Sequence, residues 1–61
     1  MMNKKLVEGD DVVITSGIHR GKTGKYLGRD SATNHAQVKV GRNTVLIVEE
    51  RRVEWLGGWN G

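Results

Sequence analysis

The amino-acid sequence predicts an all-β fold, a small barrel or sandwich of five strands. Three observations lead there. Short runs rich in β-branched residues recur, with turn signals every eight to twelve residues. No 11-residue window keeps an apolar stripe of helical period, and the longest candidate, "VLIVEERRVEWL", alternates as well as it spirals. Nine glycines and no proline punctuate the runs. Sixty-one residues make one domain, 1–61, with a core expected over about 7–56 and flexible tails at 1–6 and 57–61. A chain this short buries only about 60% of the surface its unfolded form exposes. Closing the sheet on itself would remove most of an exposed edge that so small a domain cannot leave unprotected.

The elements follow in order. "DVVIT" (Asp11–Thr15) is the first strand and stops at Ser16-Gly17. "GKYLGRD" (Gly24–Asp30) is a weaker second one, ended by the turn-forming "DSATN". "HAQVKV" (His35–Val40) alternates cleanly, with Ala36, Val38 and Val40 on one face and His35, Gln37 and Lys39 on the other. "GRN" (Gly41–Asn43) is a tight reversal before "TVLIVEE" (Thr44–Glu50), the most apolar strand. "EERR" (Glu49–Arg52) reads as a single, charge-compensated 3₁₀ turn leading into a short closing strand, "RVEWL". Phenylalanine is absent, so Val, Ile and Leu must supply the core, with Trp55 expected among them.

Charge is the most informative bulk property. The net charge is +3, and between Gly17 and Arg29 lie Arg20, Lys22, Lys25 and Arg29 with no acid. The rest of the chain carries six basic and seven acidic residues, so the positive balance sits in one segment. Such segregation is the footprint expected of a polyanion binder, and the alternative for the same cluster is a solvated basic face. The absence of cysteine excludes disulfides, thiolate metal sites and cysteine nucleophiles, and fits a reducing compartment. No apolar run approaches the roughly 18 residues of a membrane span, and no secretory apolar region follows the first lysines. The expectation is a soluble, cytoplasmic protein.

"TSGIHRGKTGKY" (Thr15–Tyr26) has the look of a phosphate-cradling loop, but its spacing excludes a nucleotide-hydrolase P-loop. Gly17 to Gly21 encloses three residues where that motif needs four, and "GKYLGRD" cannot open the helix that must follow. Gly17 and Gly21 instead bracket a tight turn, where positive φ costs glycine least. Gly24 begins the next strand, where a missing Cβ permits a bulge or the close approach of a neighbour.

"EGDDVVITSGIHRGKTGKYLGRD" resembles a KOW motif, shared by a large-subunit ribosomal protein and the NusG-type transcription elongation factors. Gly9, Asp10, Val12, Ile14, Gly17, Arg20, Gly21, Lys22 and Gly24 occupy the pattern's positions, and "GRNTVLIVEERRVEWL" is similar to the last hairpin and final strand of a NusG-type domain. The resemblance spans about residues 8–56. It implies a five-stranded SH3-like barrel of KOW type whose first loop meets RNA in some members, while others use the barrel to contact protein. Tyr26 departs from the pattern, which has a small aliphatic residue there. Its ring either faces solvent beside the basic loop or fills the barrel.

The candidate site is therefore a nucleic-acid interface made of Ser16, Gly17, His19, Arg20, Gly21, Lys22, Lys25, Tyr26, Arg29 and Arg42. Cationic side chains would meet phosphate oxygens, joined by backbone amides that the glycines set free. About four phosphate contacts give a salt slope near −3.6 on duplex DNA and about −2.8 on a single strand, the signature of weak, sequence-independent binding. The alternative is a protein–protein module, accessory to a transcription or translation complex, with ribosome or RNA polymerase components as partners. Trp59, in the glycine-rich tail, is the aromatic with nothing obvious to pack on. His19 and His35 have no carboxylate at ligand spacing, and Ser16 lacks an oriented base, so no metal, cofactor or catalytic residue is assigned and no enzyme is expected.

Overall fold

The computed structural model describes residues 5–57. It is all-β: β1 (Asp11–Ile14), β2 (Thr23–Asp30), β3 (His35–Val40), β4 (Thr44–Glu49), a 3₁₀ turn (Glu50–Arg52) and β5 (Val53–Trp55). The strands form one antiparallel sheet in the order β4-β3-β2-β1-β5, a four-strand meander whose last strand returns beside the first. Strand and turn positions follow the alternation and glycine signals closely. The expected 3₁₀ turn forms one residue later, at Glu50, because Glu49 keeps its pairing with His35.

Alternation puts one face of every strand into a single cluster. Val12 and Ile14 come from β1, Tyr26 from β2, Ala36 and Val38 from β3, Val48 from β4 and Val53 from β5. A sheet whose five strands share one core must curl on itself, and two devices in β2 produce that curl. The pairing with β3 slips between Tyr26 and Gly28, leaving Leu27 as an extra residue, and such a bulge bends and twists its strand. At Gly24, which pairs with inward-facing Val12, β3 crosses so closely that a Cβ would overlap the Lys39 carbonyl oxygen. The close approach expected of Gly24 is thus present, and it comes from β3.

Tyr26 fills the barrel. It is 3% exposed, and its hydroxyl donates to both carboxylate oxygens of Glu50, at 3.1 and 3.3 Å, tying the 3₁₀ turn to the core. This removes Tyr26 from the candidate interface: its ring has no free face on which a base could stack. Trp55 is the converse case. The expected core tryptophan stands 36% exposed at the end of β5, where the three-residue strand outruns the core and Val53 alone is buried.

The N-terminal side also differs from expectation, since Leu6, placed in a flexible tail, packs against the core. The cause is a tight turn over Val7–Asp10. Asp10 N–H donates to the Val7 carbonyl at 3.1 Å, and Gly9, at φ +97°, donates to the Tyr26 carbonyl at 2.8 Å. The Asp10 carboxylate accepts from Val7 N–H at 2.9 Å, so "EGD" is a docked corner that turns the chain into β1. Trp59 and the rest of 58–61 lie outside the described residues.

Candidate nucleic-acid interface

The loop joining β1 to β2 covers residues 15–22. Its neck is closed by Ile14 N–H donating to the Lys22 carbonyl at 2.9 Å and Gly21 N–H donating to the Ile14 carbonyl at 2.7 Å. Two short turns fill it, Arg20 N–H to the Gly17 carbonyl (3.2 Å) and Lys22 N–H to the His19 carbonyl (3.1 Å). Gly17 and Gly21 both sit at φ +91°, the left-handed region that side chains resist. The glycines therefore do what the sequence reading gave them to do. The amides of Arg20, Gly21 and Lys22 donate within the loop and its neck, so at those positions only side chains are free to meet a ligand.

The loop is clamped from across the fold by Arg52. Its carbonyl accepts from Thr15 N–H (2.7 Å) and Thr15 Oγ1 (3.1 Å), its Nη1 donates to Ser16 Oγ (3.1 Å), and its Nε donates to Glu49 Oε1 (2.9 Å). Ser16 and Gly17 are thus clamp positions, and a Cβ on Gly17 would come within 2.9 Å of the Arg52 guanidinium. Arg51 also donates to Glu49, and hydrogen bonds from Arg52 and then Arg51 hold the Glu49 carboxyl below its ordinary range. "EERR" compensates its own charge as expected. Its role as an anchor for a loop 36 residues away left no local trace.

The cations separate into two groups. In the meander, the start of β2 lies beside the end of β3, with Lys25 opposite Lys39, and Val40 opposite Thr44 across the next turn. Lys22 and Arg42 accordingly share one end of the sheet, with Arg20 in the same loop. All three are exposed, and among the described residues their side chains make no ion pair or hydrogen bond. Lys25 is different: it pairs with Asp11 across the strands at 2.7 Å, a half-exposed bridge of little net energy that sets an opposite charge beside it. Lys39, directly opposite Lys25, adds a cation the sequence reading left out of the site, although alternation had already turned it outward. Arg29 belongs elsewhere. It lies roughly 13 Å beyond Lys25 along β2, where its Nη1 donates to Asn34 Oδ1 at 2.9 Å beside the β2–β3 turn.

His19 is half-buried and lines an open groove of about 340 Å³ with His35, Ile47, Glu49 and Arg52. Among the described residues no three His, Asp or Glu side chains converge as metal ligands would, and no helix is long and apolar enough to cross a membrane. One feature was not legible at all. Ile18, at the loop's apex, is 92% exposed, an isolated apolar residue with no periodic signal around it. Neither a family model nor a curated protein matches the chain.

Proposed function

We propose that this protein is a non-enzymatic KOW-like module that binds the backbone of RNA or DNA in a reducing, cytoplasmic setting, without reading sequence. The observation that carries the reading is the set of uncompensated cations, Arg20, Lys22 and Arg42, at one end of the sheet, with Lys39 and the Asp11-paired Lys25 beside them. The cysteine-free composition and the KOW resemblance are in keeping with it. Three full phosphate contacts predict a salt slope near −2.7 on duplex DNA and about −2.1 on a single strand. Fluorescence anisotropy of labelled oligonucleotides across a salt series measures that slope. Replacing Arg20, Lys22 and Arg42 together with alanine flattens it and weakens binding equally for all sequences. A triple variant that binds as wild type removes this end of the sheet as the site.

The exposure of Ile18 favours a second reading, a protein-interaction module serving a transcription or translation machine. A partner that stays bound after nuclease treatment and high salt, and is lost on Ile18→Ser, selects that reading over the first.

A further inference from the structure

We infer that β4 is a self-association edge, along which a second copy of this chain adds antiparallel to give a continuous ten-stranded sheet. This rests on features separate from the basic loop. β4 ends the sheet and pairs only with β3, without a bulge, over its whole length. Solvent-facing edges in monomeric proteins are blunted by charge, proline, bulging or a cover. Among the described residues Thr44–Val48 has none of these: it is five consecutive uncharged residues, all of them strong strand formers or apolar.

Both faces of β4 are also incomplete. Val45 and Ile47 point outward at 46% and 58% exposure, while Leu46, on the inner side, packs against the core but stays partly open. An added strand must match inner residues with inner ones, so the allowed registers differ by steps of two. Charge selects among them. β4 is flanked by Arg42 at its start and by Glu49 and Glu50 at its end, opposite signs at opposite ends, as antiparallel self-pairing requires. With Leu46 opposite its own copy, Val45 faces the partner's Ile47, and Asn43, next to Arg42, faces the partner's Glu49. A shift that sets Ile47 opposite itself would instead put apolar Val45 opposite the partner's charged Glu49. The Leu46-centred register joins four β-branched side chains into one outer patch and closes the inner row Tyr26–Val38–Leu46 against its copy.

Sedimentation velocity on the full chain, from micromolar to millimolar and without nucleic acid, tests this. The expected result is a reversible monomer–dimer equilibrium. Ile47→Lys should raise its dissociation constant at least about tenfold by burying an unpaired charge, and Arg42→Glu should weaken it most at low salt. Circular dichroism serves as the folding control, since Ile47 is exposed and its replacement leaves the core intact. In a mixed isotope-labelled sample, intermolecular contacts between Leu46 methyls and between Val45 and Ile47 report the register. A chain that stays monomeric to millimolar concentration overturns the inference. So does a dimer that ignores Ile47→Lys, or a β4 edge that takes up only a strand from another protein.

Discussion

Replacing Gly24 with alanine probes the feature on which the curl of the barrel depends. Gly24 has ordinary negative φ, so no backbone conformation forbids the change, and removing glycine's unfolded-state freedom would by itself stabilise by about 0.4–1 kcal/mol. What opposes it is space. The new Cβ overlaps the Lys39 carbonyl oxygen and lies 2.9 Å from its carbon and 3.0 Å from Val40 Cγ1, where ordinary contact begins near 3.4 Å. The obstacle is mostly backbone, so β3 must move by at least about half an ångström, and it cannot do so without disturbing its ladders with β2 and β4. Overpacking of this kind costs about 1–3 kcal/mol, and each ladder bond lost adds roughly 1 kcal/mol. The net expectation is a loss of about 2–4 kcal/mol, out of roughly 3–9 kcal/mol for a domain of this length. Thermal unfolding by circular dichroism should show a Tm lower by roughly 10–30 °C. Unchanged or increased stability would mean that β2 and β3 are not in close approach at Gly24, and the account of the curl would be wrong.

Two ionisable groups give further tests. Burial, then the hydrogen bond and negative charge of Glu50, raise the Tyr26 hydroxyl above its ordinary 10.0. Its stabilisation is therefore complete below that value and lost as pH rises through the raised one. Ultraviolet titration of this single tyrosine should show late ionisation coupled to unfolding, and Tyr26→Phe should cost about 0.5–1.5 kcal/mol at neutral pH. Titration at the ordinary value would contradict the Tyr26–Glu50 bond. Glu49 runs the other way: Arg52 and Arg51 lower its carboxyl below 4.5, so its contribution is present above that value and disappears as pH falls through the lowered one. Between neutral pH and the acid range, wild type should lose more stability in urea titrations than Glu49→Gln. Equal losses would show that the two arginines do not hold that carboxylate.

How far the fold could be read in advance depends on the range of the interaction concerned. Alternation in "HAQVKV" and the turn chemistry of "GRN" act between neighbours in sequence, so β3 and the hairpin were legible to the residue and β4 to within one. Tyr26 and Trp55 were not, because which of two aromatics enters the core depends on where a curled sheet has room. Tyr26 lies mid-strand beside the bulge, whereas Trp55 sits at the end of a strand only three residues long. Leu6 was assigned to a tail for the same reason, since the corner that returns it to the core is anchored on Tyr26. Within the candidate site, charge segregation identified the loop. Only the meander's register could bring Arg42 to it and send Arg29 away.

The basic loop separates what the fold requires from what it leaves free. Gly17 and Gly21 answer to backbone geometry, Ser16 and Thr15 to the Arg52 clamp, and Lys25 to Asp11. Once those are set aside, the side chains of Arg20, Lys22 and Arg42 have no hydrogen-bond or ion-pair partner among the described residues. Three like charges at one end of a sheet repel one another, so folding gains nothing from their being together. Of the loop's amides, those of Arg20, Gly21 and Lys22 are already spent within the loop and its neck. An anion at those positions would be met by long, charged side chains. Such contacts are adaptable in geometry and indifferent to base identity, and they release counterions as they form. Under the proposed nucleic-acid reading, weak binding with steep salt dependence and little sequence preference would follow from these side chains.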